Sequence, residues 1–136
     1  MMSIGDMARE TGVKVPTIRY YEQIGLLPDP GRTQGNQRRY GAAERDRLAF
    51  IRHARDLGFS IESIRDLVAL SGNPGAPCTD ADRIAGAQLD DVRARIARLQ
   101  ALERELARIA ACNGEHAGTC RVLQALSDHG LCNGDH

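Results

Sequence analysis

A run of regularly spaced apolar residues in the second half of the chain constrains the fold more than any other feature. The spacing steps are 3, 4, 3, 3, 4 and 3, and the run comprises Leu89, Val92, Ile96, Leu99, Leu102, Leu106 and Ile109. This near-heptad period predicts one apolar seam on a helix from about Thr79 to Ala111, where Thr79 and Asp82 have capping-box spacing. Such a helix is roughly 50 Å long, too long to bury its whole seam within 136 residues. We therefore expect it to pair with a second copy as an antiparallel coiled coil, although the seam itself does not decide the direction.

Composition and charge bound the function. The chain has no Trp, two Phe and three Tyr, and its formal net charge is zero. Residues 1–55 hold ten Lys or Arg against six Asp or Glu, whereas residues 56–136 hold eight against twelve. A basic first part beside an acidic second part fits a nucleic-acid-binding head with a non-binding tail. No stretch reaches the roughly 18 apolar residues of a membrane span. We expect a cytoplasmic protein with no membrane partner and with reduced thiols.

Two short helices are predicted near the N-terminus. Ser3 and Asp6 have capping-box spacing at the start of the first, which runs to Glu10, and Gly12 suits the turn that follows. The second occupies "VPTIRYYEQIGLL", is ended by Gly25, and turns Ile18 inward with Tyr21 or Ile24. The pair predicts a helix-turn-helix, and the alternative is an ordinary helical hairpin.

A basic segment, "LPDPGRTQGNQRRYG", follows the second helix. Pro28, Pro30 and two glycines exclude a helix. We predict a two-stranded hairpin, or wing, that turns at Gly35-Asn36 and carries Arg38, Arg39 and Tyr40. These arginines and the tyrosine hydroxyl suit phosphate oxygens. The alternative is a solvated basic loop.

Two more helices complete the predicted head, residues 1–75. The third, in "AAERDRLAFIRHARDLGF", carries Leu48, Ile51 and Ala54 on one face, and the fourth, in "SIESIRDLVALS", is capped by Ser60 without a complete capping box. We predict a mainly α fold with this winged helix-turn-helix head, a dimerisation helix at residues 76–111, and a metal-binding loop and tail at residues 112–136.

The cysteines lie at both ends of the long helix. Cys78 precedes it, whereas Cys112 and Cys120 follow it. In an antiparallel dimer, Cys78 of one subunit faces Cys112 and Cys120 of its partner. Three thiolates suit a soft or borderline cation, and His116 is a candidate fourth ligand. The tail residues Cys132 and His136 are weaker candidates. An enzymatic thiol–disulfide pair is disfavoured, because redox cysteines prefer a CxxC at a helix N-terminus.

Together, these motifs resemble the MerR family of bacterial transcription regulators over nearly the whole chain. The resemblance is carried by "TIRYYEQIGLL" with the Arg-rich wing ending in Tyr, by "FIRHARDLGFSIESIRDL", and by the long helix with its cysteine loop. It implies DNA contacts by Thr17, Arg19 and Tyr20 on the second helix and by Arg38, Arg39 and Tyr40 on the wing.

The resemblance also implies a mechanism without catalysis. A homodimer binds promoter DNA whose −10 and −35 elements are too widely spaced for RNA polymerase. Metal binding at the dimer interface rotates the heads, and the DNA is bent and undertwisted so that the elements realign. The regulated genes in such systems encode efflux or detoxification proteins.

The resemblance directs the choice of metal to Cys78. Copper(I) sensors of the family have Ser at this position, whereas sensors of zinc, cadmium, lead or mercury keep the cysteine. We expect a divalent ion, with Zn²⁺ or Cd²⁺ favoured by His116 and His136 and with Pb²⁺ and Hg²⁺ as further candidates. The Cys112–Cys120 spacing is similar to that of the copper(I) group, so a Cu⁺ sensor is one alternative. A constitutive DNA-binding protein with a structural zinc is another.

Overall fold

The computed structural model describes residues 2–28, 30–32, 38–110 and 120–127. Six helices and one hairpin occur in this part of the chain: α1 (Ile4–Thr11), α2 (Val15–Gln23), β1 (Gly31–Arg32), β2 (Arg38–Arg39), α3 (Ala42–Asp56), α4 (Ile61–Ser71), α5 (Thr79–Ala110) and α6 (Arg121–Ser127). The predicted mainly α architecture is confirmed. The chain divides into two compact units, Met1–Ile84 and Ala85–His136.

Local sequence signals explain both ends of α1. The Ser3 side chain accepts the Asp6 N–H, and the Asp6 carboxylate accepts the Ser3 N–H, which completes the predicted capping box. Gly12 follows the helix with φ 74°, a left-handed conformation that favours glycine. The predicted cap and turn are confirmed.

α2 is shorter than predicted. Pro16 lies in its first turn, and the helix ends at Gln23 with Ile24 as the capping residue. Gly25 then adopts φ 77°, so the following Leu26 and Leu27 leave the helix and are buried in the core. The chain turns here because Gly25 reverses its direction and lets two leucines pack inward.

The first unit encloses one apolar core. α1 packs on α2 and α3, and α3 packs on α4. The predicted inward face of α3, Leu48, Ile51 and Ala54, is buried. Met7, Ile18, Leu27, Tyr40, Leu48, Ile51 and Ile64 are its largest fully buried side chains. Among the described elements, these packings hold the helix-turn-helix against the α3–α4 pair.

α5 begins at Thr79, as predicted, but Thr79 is not the residue that precedes the helix. Thr79 is already helical, and the carbonyl of Cys78 accepts the N–H of Asp82. Cys78 therefore occupies the position before the helix, where the capping-box spacing predicts Thr79. The Cys78 thiol lies within reach of the Asp82 carboxylate, with Sγ 3.7 Å from Oδ1.

The second unit contains most of α5 and the short α6. Ile109 and Ala125 are its buried apolar residues among those described, and Glu105 is buried with an ion pair to Arg108. Most of the predicted seam is exposed in the single chain, including Leu89, Val92, Ile96, Leu99 and Leu106.

Candidate functional site

The outward face of α2 carries the residues expected to read DNA. Ile18 and Tyr21 are buried in the core, which turns Arg19 and Tyr20 outward. Arg19 is exposed, half of the Tyr20 surface is accessible, and Thr17 is half-buried. The helix thus presents one guanidinium and one phenol on a face that no described part of the unit covers.

The wing is a short antiparallel hairpin, as predicted. Gly31 pairs with Arg39 and Arg32 pairs with Arg38. The predicted turn at Gly35-Asn36 and the side chain of Arg38 lie outside the described part of the structure. Arg39 is half-buried, so part of its side chain is accessible.

Tyr40 corrects one prediction from the sequence. Its side chain has no exposed surface, and its hydroxyl donates to Oε2 of Glu22 on α2 at 3.1 Å. Its backbone pairs with Met2 in both directions, at 2.7 and 2.8 Å. Tyr40 therefore anchors the end of the wing to α2, and in this structure its hydroxyl is not accessible to a phosphate.

Glu22 was not singled out from the sequence. It lies four residues after the buried Ile18 on α2 and is half-buried. A carboxylate on the inward face of an amphipathic helix needs a hydrogen-bond partner. That position in the sequence is the signal that could have identified Glu22. The partner itself is 18 residues away, and only the tertiary structure identifies it as Tyr40.

Two of the four predicted metal ligands are described. Cys78 is exposed at the start of α5, and Cys120 is half-buried just before α6, where its carbonyl accepts the N–H of Gln124. Cys112 and His116 lie outside the described residues, as do Cys132 and His136. Residues 2–28, 30–32, 38–110 and 120–127 contain no group of three metal-ligating side chains.

Cys78 also borders an open groove in the first unit. The groove has a volume of about 410 Å³. Its walls are mainly apolar, and the lining includes Phe50, Leu67, Leu70, Pro74, Pro77 and Cys78. The thiol is therefore accessible from a largely apolar surface. No described helix is long and apolar enough to cross a membrane.

Comparisons with known proteins agree with this architecture. The family model for the MerR HTH family regulatory protein matches residues 2–70, and the model described as MerR, DNA binding matches residues 45–109. The chain is 42% identical to the HTH-type transcriptional regulator ZntR of Escherichia coli (strain K12), over 93% of this chain and 92% of that protein. It is 36% identical to the mercuric resistance operon regulatory protein of Serratia marcescens, over 92% and 87%.

A solved structure shares both sequence and fold. The transcription regulator PbrR691 from Ralstonia metallidurans CH34, in complex with lead(II), aligns with a TM-score of 0.79 and 35% identity, over 93% of this chain and 99% of that one. A family model that covers the helix-turn-helix, and relatives that cover nearly the whole chain, lead to one assignment. The chain belongs to the MerR family of transcriptional regulators, DNA-binding proteins that are not enzymes.

Proposed function

We propose that this regulator binds promoter DNA as a homodimer and activates metal efflux or detoxification genes when a divalent soft metal ion binds. The observation that carries the metal response is the exposed thiol of Cys78, directly before the long helix. In this proposal, residues 1–75 bind DNA, residues 76–111 form the dimer and residues 112–136 contain the metal-binding loop.

Thr17, Arg19 and Tyr20 are the proposed DNA contacts of α2. Arg19 is exposed on the outward face, and a guanidinium suits the acceptor atoms of guanine in the major groove. Arg38 and Arg39 of the wing are proposed to bind phosphates, which fix the position of the protein without reading sequence. Tyr40 holds the wing in place through Glu22, so its contribution to DNA binding is indirect.

The exposed seam of α5 supports the homodimer. Leu99 is 63% exposed and Leu106 is 60% exposed, and a soluble helix does not leave such a stripe uncovered without a partner. A second copy that runs antiparallel would cover the seam. It would also bring Cys78 of one subunit towards the cysteine loop of the other.

Cys78, Cys112, Cys120 and His116 are the proposed metal ligands. Three thiolates and one imidazole fit the preferences of soft and borderline divalent ions. Relatives whose names refer to mercuric resistance and to a lead(II) complex favour a divalent ion. Within that class we propose Zn²⁺ or Cd²⁺ first, then Pb²⁺ or Hg²⁺, with Cu⁺ as the alternative.

The metal acts by tying the two subunits together, since its ligands come from both. A change in the relative positions of the heads then changes the bend and twist of the bound promoter. The cost of this distortion depends on the DNA between the contacted sites. RNA polymerase, the proposed partner at the promoter, recognises the realigned elements. No covalent step is required.

An anaerobic metal titration tests this function. The reduced protein and its Cys78→Ser variant are titrated with Zn²⁺, Cd²⁺, Pb²⁺, Hg²⁺ and Cu⁺ against competing chelators. The same substitution in the tail, Cys132→Ser, is the matched control. We expect Cys78→Ser to weaken the binding of a divalent ion by on the order of a hundredfold, about 2.8 kcal/mol, and Cys132→Ser to leave it unchanged.

Two results would contradict the proposal. Far tighter binding of Cu⁺, with no effect of Cys78→Ser, would identify a copper(I) sensor. A metal-free protein that is neither folded nor dimeric would instead identify a structural zinc site, because a sensor must remain a DNA-binding dimer without its ion.

A further inference from the structure

Both helices of the helix-turn-helix end in the same way. Each is followed by a glycine with positive φ, Gly12 at 74° after α1 and Gly25 at 77° after α2. Each also receives an arginine side chain from a helix outside the motif. These two long-range contacts are not explained by the direct reading of DNA or by the metal site.

Arg52 of α3 caps the end of α1. Its Nη1 donates to the carbonyl of Thr11 at 2.6 Å, and its Nε lies 3.8 Å from Oδ2 of Asp56. A Cβ on Gly12 would lie 1.6 Å from the same Nη1. The guanidinium therefore occupies space that is open only because residue 12 is glycine.

Arg65 of α4 caps the end of α2. Its Nη2 donates to the carbonyl of Ile24 at 2.9 Å. Ile24 is the capping residue of the recognition helix, so this bond fixes the end of the element that carries Arg19 and Tyr20. α4 is thereby tied to the recognition helix by a specific polar contact in addition to the shared core.

The chemistry of these contacts favours arginine. The last carbonyls of a helix have no partner within the helix, and they carry the negative end of its dipole. A guanidinium supplies a positive charge and several donors in a fixed plane. Arg55 of α3 also donates to a carbonyl, that of Phe59, but this group lies in the connection between α3 and α4 and is only four residues away. Arg52 and Arg65 instead join elements 41 residues apart in sequence.

We propose that Arg52 and Arg65 are positioning residues for DNA recognition. They hold the ends of α1 and α2 on the α3–α4 pair, so that the outward face of α2 keeps one orientation. The inference rests on the proposed function, in which α2 reads DNA. Neither arginine needs to touch the DNA in this role.

Hydrogen exchange and DNA binding together test the role of Arg65. The variants are Arg65→Met, which keeps the aliphatic stem but removes the donors, and Arg65→Lys, which keeps the charge. Arg83→Met is the matched control. The described ion pair of Arg83 is with Asp80, which lies on the same helix. Amide exchange is followed in residues 24–27 of the full-length, metal-free protein. The DNA probe is a duplex selected by the wild-type protein from a random 24-base-pair library, and a scrambled duplex is the reference.

We expect Arg65→Met to raise the amide exchange rate at residues 24–27. It should also weaken binding of the selected duplex about threefold to tenfold, where tenfold corresponds to about 1.4 kcal/mol. Arg65→Lys should lose less affinity for the selected duplex, and Arg83→Met should match the wild type in both exchange and affinity. Affinity is measured well below the unfolding temperature of each variant. The slope of log K against log salt should stay unchanged, whereas loss of a phosphate contact lowers it by about one. Arg52→Met should behave in the same way, with exchange raised at residues 11–13.

Three results would overturn the positioning role. These are unchanged exchange at the helix end, unchanged affinity for the selected duplex, or an affinity loss accompanied by the smaller salt slope of a phosphate contact. A wild-type protein that selects no duplex would be a different failure. It would overturn the proposed function, and the positioning role for DNA with it, whatever the exchange data show.

Discussion

The head and the long helix use the same apolar residue types in opposite ways. In the head, Ile18, Leu48 and Ile64 have no accessible surface. Along α5, Leu89 is 47% exposed and Leu99 is 63% exposed. The head satisfies its apolar side chains within one chain, whereas most of the α5 seam does not find a partner there.

This difference shows which part of the molecule is complete as a single chain. Burying a leucine side chain contributes about 1.5–3 kcal/mol, so several exposed leucines on one helix represent a large unused driving force for association. The head needs no second copy for its core. A second copy would cover the exposed seam of the long helix, so a mutation of the seam and a mutation of the core should fail in different ways.

The largest effect is expected at the seam. Leu99→Asp places a charge in the proposed coiled coil, where its desolvation opposes association. We expect the dimer to become a monomer at micromolar concentration, as measured by analytical ultracentrifugation, while the head keeps its fold. Ala97→Asp, which adds the same charge on the opposite side of the helix, should remain dimeric. A dimeric Leu99→Asp variant would show that another surface forms the interface.

A substitution in the core of the head should lower the stability of the protein rather than its association. Leu48→Ala removes a fully buried side chain from α3 and should lower the free energy of unfolding by about 2–5 kcal/mol. Leu57→Ala is the matched control, since Leu57 is 57% exposed and should change stability by less than about 0.5 kcal/mol. Urea denaturation measures both variants. Equal losses would contradict the assignment of Leu48 to the core.

Alanine substitutions at two glycines should change the free energy of unfolding in opposite directions. Gly12→Ala in the head places a Cβ at positive φ and against Arg52, and we expect a loss of about 1–2 kcal/mol. Gly86→Ala in α5 meets no atom within 4 Å, and the better helix propensity of alanine should stabilise by about 0.5–1 kcal/mol. Thermal unfolding followed by circular dichroism measures both. The same sign for both variants would contradict the difference between the two sites.

The smallest effect is expected at the cap of α1. The hydrogen bonds from the Ser3 backbone and side chain, followed by Arg9, hold the pKa of Asp6 below its usual value of 3.8. A lowered pKa in the folded state stabilises the protein above the unfolded pKa, and this contribution is lost as the pH falls through the folded value. The unfolding temperature should therefore decline below about pH 4 less steeply in Asp6→Asn than in the wild type.

Ser3→Ala separates the causes at this cap. It keeps the backbone donor to Asp6 but removes the hydroxyl. Its pH dependence below pH 4 should lie between those of the wild type and Asp6→Asn. Identical curves for all three proteins would show that the capping box does not contribute to the acid sensitivity.

Local patterns made much of the fold predictable. The capping box at Ser3, the turn at Gly12, the inward face of α3 and the near-heptad seam depend on residues within one or two helical turns of each other. The hairpin was predictable for the same reason, because its two strands are close in sequence. α5 begins at the predicted residue, but Cys78 precedes it where local capping preference favours Thr79.

The roles that depend on distant residues were not predictable in this way. Tyr40 follows two arginines at the end of a basic hairpin, which suggested a phosphate contact. Its hydroxyl instead meets Glu22 on another element. Arg52 and Arg65 resemble solvated surface residues in sequence, because the carbonyls that they cap lie 41 residues away.

The sequence by itself determined the order of the helices, the cap of α1, the basic wing and the apolar seam along the long helix. Each of these follows from short-range periodicity or from the conformational preference of one residue. Only the tertiary structure decided that Tyr40 is a core residue and that two arginines hold the ends of the helix-turn-helix. A side chain's partner depends on which distant elements the core brings together, and no local pattern specifies that.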